Sequence, residues 1–245
     1  MKVEGTIGAG AGIWSRGRRA IATAIGVALC LSVCMSVVYA ALPPPATPLM
    51  FLRLFEGEGI AKDWVAYEKM SPKLARAVIA AEDSGFCDHW GFEFAAIEQA
   101  WKRLQKKKSA SRLKGGSTIS NQTAKNVFLW PGDTLVTRVI RKLIEPYFTL
   151  LIEYFWGKKR ILEVYLNVVE WGPGVYGAEA ASKVHFNKRA SELTAREAAL
   201  LAAVLPNPRR WSAGKPTSYI RDRASTIMAR MNDTPDPEGA PCRHR

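Results

Sequence analysis

The stretch AAEDSGFCDHWGFE, residues 80–93, sets two adjacent acids at the end of an apolar run and follows them with aromatics, a cysteine, a histidine and glycines. The run ahead of it starts at Ser71-Pro72, an N-cap followed by proline at the first helical position. Leu74, Val78 and Ala81 then recur at helical spacing, which predicts a buried helix reaching about Asp83. Glu82 would stand at the rim of a core. Partial burial there raises a carboxylate's pKa toward a value useful to a general base. The plainer alternative is a helix-end acid in water. Phe86, His89 and Gly91 just beyond it argue for the first reading. A zinc site from Asp83, Cys87, Asp88 and His89 matches none of the usual ligand spacings. Cys87 and His89, neighbours in sequence, do not thereby form a thiol dyad.

Going forward along the chain, residues 94–108 read as a helix with Phe94, Ile97 and Trp101 on one face. The run then turns basic, with Lys102, Arg103, Lys106, Lys107, Lys108, Arg112 and Lys114 and no acid among them. Gly115-Gly116 ends that pattern, and Ser117-Thr118 can cap a further helix through about Phe128. The string GGSTISNQTAKN, residues 115–126, lacks the Gly-Lys-Ser/Thr ending of a Walker loop. On a helix, Ser117, Asn121 and Lys125 fall on one face. Its N-terminal amides and Lys125 are suited to phosphate oxygens; an ordinary capped surface helix is the bland alternative.

Arg141–Trp156 reads as a helical run interrupted by Pro146. Within RKLIE, residues 141–145, Arg141, Lys142 and Glu145 share neighbouring faces of one turn, a common surface ion-pair pattern. Proline disfavours the α region for the residue before it, so Glu145 is expected at a helix irregularity. In KKRILEVYLNVVEWGPGVYG, residues 158–177, Ile161, Leu162, Tyr165 and Leu166 form an apolar stripe, read as core. Asn167 and the following glycine loop are the better candidates for a groove wall. Thr194–Glu197 is a capping box opening an Ala/Leu helix that ends at Pro206-Asn207-Pro208. A last helix is expected over 219–231, and a disordered tail over 232–245. Alternating strand patterns are scarce and no repeat is visible, so the fold reads as mainly α.

The chain has 245 residues, 48% of them hydrophobic, and a net charge of +13. Such a length suits one domain with appendages, and such a charge calls for an anionic partner. Ala20–Leu42 carries no charge and as a helix would span about 34 Å, enough to cross a bilayer. Arg16, Arg18 and Arg19 precede it, which places the N-terminus (1–19) in the cytoplasm and the rest outside. Export disfavours nucleic acid as the anion. Val38-Tyr39-Ala40 also resembles a signal-peptide cleavage site, but the apolar run is long for a signal and favours a retained anchor. The segment 43–49 reads as a stiff Pro-rich spacer, and 50–231 as the catalytic domain. Of the four cysteines, Cys30 and Cys34 fall in the apolar span. Cys87 and Cys242 are expected as free thiols, since distance in sequence establishes no pairing.

Taken together, EDxxFxxHWG, GGSTIxxQxxKN, RKxxE and KxxILxxYLN, in that order, resemble the peptidoglycan glycosyltransferases of glycosyltransferase family 51. The resemblance runs from about Thr47 to Met231, with no long C-terminal region to hold a transpeptidase. It implies a lysozyme-like, mainly helical fold with a smaller membrane-facing lobe, behind one transmembrane helix. It implies lipid II as substrate, a nascent lipid-linked β-1,4 glycan as product, a single-pass inner-membrane location and a Mg²⁺ or Mn²⁺ ion. Proteins of cell-wall synthesis and division are the further partners it suggests. By motif match Glu82 takes the catalytic base position and Glu145 that of the second essential carboxylate, a candidate metal contact. Ser117, Asn121, Gln122, Lys125, Asn126, Arg141 and Lys142 fall in the donor and diphosphate region.

Two departures stand out. The family usually has Gln-Gln where this chain has Asn121-Gln122. The stretch 130–142 is longer than the family pattern, with Asp133 where an arginine usually lies and Arg138 as its replacement. The residue chemistry agrees with the resemblance on its own terms. A sugar hydroxyl nucleophile needs a base, and a diphosphate leaving group needs cations more than a proton. Cleavage of a finished glycosidic bond needs a proton donor to the leaving oxygen instead. A lysozyme-like muramidase and a non-enzymatic tether for acidic polymers are the rival readings. The basic stretch 102–114 is suited to anionic headgroups, with Phe128, Leu129 and Trp130 dipping into the interface.

Overall fold

The computed structural model describes residues 8–93, 98, 117–132, 134–235 and 242. The helix expected over 94–108, the basic stretch 102–114, Gly115-Gly116, Asp133 and most of the tail lie outside these residues. The chain divides into two compact units, Met1–Leu42 and Pro43–Arg245.

The first unit is α1 (Gly8–Ala41). Its segment Arg16–Ala41, 26 residues, is the one helix among the described residues long and apolar enough to cross a membrane. Such a helix is consistent with a single-pass membrane anchor.

The second unit is mainly helical. Thr47 accepts a bond from the Met50 amide and caps α2 (Pro48–Phe55), so the Pro-rich spacer ends at Thr47 instead of Leu49. A short 3₁₀ turn, Tyr67–Lys69, leads into α3 (Pro72–Glu82). Of the predicted apolar stripe of α3, Leu74 and Val78 are fully buried and Ala81 is half-buried, while Ile79, outside the stripe, is fully buried as well; each such large side chain contributes about 1.5–3 kcal/mol on burial. Thr118, Thr134, Thr194 and Thr217 cap α4 (Ile119–Phe128), α5 (Leu135–Phe155), α8 (Ala195–Val204) and α9 (Ser218–Met231) with their side-chain oxygens. Between them run α6 (Lys158–Val168) and α7 (Ala178–Phe186).

Two packing groups hold the site. Helices α3, α8 and α9 pack on one another, and α4 packs on α5 and α6. Buried Ala198, Ala199, Ala202 and Ala203 give α8 a small-residue surface that lets its neighbours approach closely. A three-stranded sheet, β1 (Ala61–Lys62), β2 (Glu170–Gly172) and β3 (Val175–Tyr176), has the order β1-β3-β2, with β1 parallel and β2 antiparallel to β3. Gly174 sits at φ +68°, and a Cβ there would lie 2.4 Å from the Gly59 carbonyl oxygen. Only glycine permits that approach.

Several expectations are corrected. α5 starts six residues before Arg141 and runs without a break through Pro146. Packing on α4, with the buried residues of α5 running from Glu145 to Glu153, outweighs the one lost backbone bond, and the Thr149 hydroxyl adds a bond to the Glu145 carbonyl at 2.9 Å. Asn167 is no groove wall. It is fully buried, accepts from the Val65 amide and donates to the Val65 carbonyl, each at 2.9 Å, tying α6 to a segment 102 residues away. Cys87 and Cys242 are joined in a disulfide across 155 residues, their Cα atoms 4.3 Å apart, so neither is a free thiol. Cys242 is thereby held to the loop that follows Glu82. Leu129 is buried and Phe128 stacks on Phe148 at 4.9 Å, which leaves Trp130 as the exposed member of that trio.

Candidate active site

Glu82 ends α3, and its side chain keeps 14% of its exposure. Burial is the largest influence and raises its pKa above the ordinary glutamate value. The Gln122 bond, Arg223 and Lys125 oppose that rise, while Asp83 adds to it. A carboxylate so poised accepts a proton more readily than one in water.

The surroundings fix which oxygen does so. Gln122 Nε2 donates to Glu82 Oε2 at 3.0 Å, and Tyr165 Oη donates to Gln122 Oε1 at 3.2 Å. Tyr165 is fully buried on α6, and burial pushes its phenol pKa well above the usual value, so it stays a donor. The relay Tyr165–Gln122–Glu82 thus runs from α6 through α4 to α3. It occupies Oε2, and Oε1 takes no hydrogen bond from the described residues.

Asp83, next in sequence, is a scaffold residue. Its Oδ2 accepts from the Ile119 amide at 2.9 Å and its Oδ1 pairs with His89 Nε2 at 2.9 Å. A carboxylate at the N-terminus of α4 is also favoured by the helix dipole. Thr118 donates to the Gly91 carbonyl at 2.6 Å. Gly91 has φ +74°, and a Cβ there would meet Thr149 at 2.6 Å. The stretch 80–93 is therefore folded back onto the start of α4, and the acid pair divides its labour: Asp83 holds the loop, and Glu82 faces Gln122 and Arg223.

The second group comes from α4 and α5. Glu145 is buried, and Lys142 Nζ donates to its Oε1 at 2.8 Å while keeping 61% of its own side-chain exposure. Arg141 Nε is buried without a hydrogen-bond partner, a donor suited to a phosphate oxygen. Lys125, half-buried on α4, lies within electrostatic reach of both groups. Burial is the main cause lowering its pKa; Arg141 and Lys142 lower it further, and Glu145 and Glu82 oppose them. So Glu82, Gln122, Lys125, Arg141, Lys142 and Glu145 converge.

The remaining expected residues sit differently. Ser117 is exposed and precedes the helix, so it shares no helical face with Lys125. Asn126 is half-buried on the turn after Gln122. Asn121 is 5% exposed and accepts from Thr149 Oγ1 at 2.8 Å, which turns its amide toward α5 and away from Glu82. Arg138 Nε donates to the Gly132 carbonyl at 3.0 Å, holding its own loop. Two neighbours of the site take no role from the sequence: Tyr165, which stands in the KxxILxxYLN motif but reads as core, and Arg223 on α9, inside the span of the resemblance, whose Nη2 stands 4.0 Å from Glu82 Oε1.

Among the described residues no cluster of three or more His, Cys, Asp or Glu is placed to hold a metal ion. Glu145 alone is not a cation site, and its Oε1 is already taken by Lys142.

A family model described as Transglycosylase matches residues 51–232. A curated relative from Rhodospirillum centenum, named Biosynthetic peptidoglycan transglycosylase, is 54% identical over 215 residues, covering 87% of this chain and 90% of that one. Relatives of the same name from Caulobacter vibrioides and Bdellovibrio bacteriovorus are 50% and 47% identical, covering 78% and 89% of this chain and 80% and 87% of theirs. The matched span contains every residue of the site just described, and the chain belongs to the transglycosylase family.

Proposed function

We propose that this chain is a peptidoglycan glycosyltransferase that polymerises lipid II into β-1,4-linked glycan. The observation that carries the reading is the meeting, across Lys125, of a half-buried carboxylate with a free oxygen and a group of cations with an unpartnered guanidinium donor. In the reaction, the 4-hydroxyl oxygen of the acceptor sugar attacks C1 of the donor sugar. The hydroxyl proton passes to Glu82 Oε1, and the C1–oxygen bond to the diphosphate breaks. The leaving group departs as undecaprenyl diphosphate with the bonding electrons, so it needs charge neutralisation, which Lys125, Arg141 and Lys142 supply. Direct displacement inverts C1 from α to β.

Glu145 orients the cations through Lys142. A Mg²⁺ or Mn²⁺ ion is proposed to arrive with the substrate, held by diphosphate oxygens and water in the manner usual for such hard cations. No step above depends on it. The location that goes with this reading is a bacterial cytoplasmic membrane, with α1 as a single-pass anchor, the N-terminus in the cytoplasm and the catalytic unit outside. The arginines before the apolar segment support that orientation.

The test is polymerisation of labelled lipid II by the full chain in detergent with Mg²⁺ or Mn²⁺, beside Glu82→Gln. Polymer digestible by lysozyme is expected from the wild type, with about a thousandfold slower turnover in the variant. Release of fragments from finished sacculi, without consumption of lipid II, would point to a muramidase instead.

A further inference from the structure

Arg223 belongs to none of the four ordered motifs, yet it is the cation that stands 4.0 Å from the free oxygen of the proposed base. Its placement is not incidental. Arg223 Nε donates at 3.2 Å to the carbonyl of Ala203, in the last turn of α8. A helix C-terminus presents unsatisfied carbonyls and a negative dipole end, so a guanidinium is stable there. The guanidinium is thereby anchored through Nε, and its Nη2 is the atom that faces Glu82. The side chain keeps 25% of its exposure, which holds its field at the site without full desolvation.

The separation decides the kind of influence. At 4.0 Å the pair is too long for a hydrogen bond but close enough for a Coulomb interaction. Arg223 therefore favours the ionised carboxylate without occupying the lone pairs of Oε1. Gln122 does the reverse at the other oxygen, which it engages directly. The two partners make the two oxygens of one carboxylate unequal.

We propose that Arg223 is a positioning residue for the base: fixed on the end of α8, it keeps Glu82 ionised and leaves Oε1 as the proton-accepting atom. The proposal rests on the assignment of Glu82 as base. The other groups that act on Glu82 are Lys125 and Gln122 from α4, Asp83 beside it, and Tyr165 from α6. Of these, Lys125 is shared with Arg141, Lys142 and Glu145, which leaves Arg223 as the cation committed to Glu82.

The sign of the effect follows. Removing a cation near a carboxylate raises its pKa, so more of it is protonated, and inactive as a base, at a given pH. In full-length protein, Arg223→Gln is expected to move the acid limb of kcat/KM for lipid II upward by about one pH unit. The rate should fall about tenfold on the acid side and recover toward wild type on the alkaline side. Arg223→Lys, which keeps the charge, should retain most of the wild-type limb. A carbon NMR titration of labelled glutamate carboxylates, with Glu82→Gln assigning the resonance, should show the same upward shift without any substrate. That measurement separates this proposal from the assignment of activity, since it holds or fails whether or not polymer is made. A uniform loss of rate at every pH with the carboxylate titration unmoved would overturn it, as would an unchanged pH profile. Thermal melting of each variant identifies one that fails to fold; Arg223→Lys then supplies the comparison, and an unmoved titration in a folded variant overturns the proposal.

Discussion

The wall around Glu82 and the first half of α5 are built on opposite terms. In the wall, polar groups are matched to partners: Asp83 to Ile119 and His89, Thr118 to Gly91, Gln122 to Glu82 and Tyr165. Beneath it, Glu153 and Lys158 pair at 2.6 Å, each side chain only 2% exposed, and Lys158 lies over the Phe86 ring at 4.7 Å. Along the first half of α5 the apolar side chains are the exposed ones. Leu135 is 76% and Leu143 75% exposed, with Val136, Val139 and Ile140 also open, and Arg138, Arg141 and Lys142 are interleaved among them. A base that must meet its proton within a fraction of an ångström needs a preorganised frame. A helix with an open apolar face and interspersed cations is suited to an anionic lipid surface. One region is closed by the chain itself, and the other is left open among the described residues.

The largest expected effect comes from breaking the wall. Glu153→Ala leaves Lys158 buried without its counter-ion, beside a Ser120 hydroxyl that also loses its acceptor. A loss of about 3–5 kcal/mol is expected, read as a lower denaturant midpoint, since an uncompensated buried charge costs far more than the pair contributes. A loss below about 1 kcal/mol would mean that water already reaches the pair.

Next comes a test of the open face. Leu135→Ser with Leu143→Ser should leave the melting temperature within the range of ordinary surface changes, about 0.5 kcal/mol each. The assay is polymerisation by the full chain reconstituted in vesicles containing anionic lipid. There the rate should fall by about tenfold as roughly 1.4 kcal/mol of apolar contact is lost. Equal rates in vesicles would show that this face has no such contact.

The smallest effect on activity is expected at Asn121. Because its amide is committed to Thr149 inside the packing of α4 on α5, Asn121→Gln inserts a methylene where there is little room. Stability should drop by about 1–2 kcal/mol with kcat and KM little changed. A lower KM for lipid II would instead place this residue at the substrate and move it from the wall to the open region.

Much of this arrangement was legible along the chain. The caps at Thr118 and Thr194, the stripe of α3, the apolar segment 20–42 and the pairing of Lys142 with Glu145 are all local, decided within a few residues by backbone bonding and helical period. Pro146 misled because its cost is local while the packing that overrides it is not. Ser117 lies off the face it was expected to share with Lys125 because Thr118 caps the helix after it, and Asn121 is turned to Thr149 by a contact 28 residues away that spacing does not show. Asn167 looked like a loop residue facing a groove, and its partner lies 102 residues away.

By itself, then, the sequence determined where α3, α4 and α8 begin, that Glu82 stands at the end of α3, and that the chain carries the ordered motifs of its family. Only the tertiary structure decided that Gln122, itself held by Tyr165, occupies one oxygen of Glu82, that Arg223 faces the other, that Asp83 belongs to the scaffold, and that Cys87 meets Cys242. The physical reason is range. Capping and periodicity act through bonds closed within one or two turns, whereas the field at a carboxylate is set by whichever distant side chains packing brings within a few ångströms.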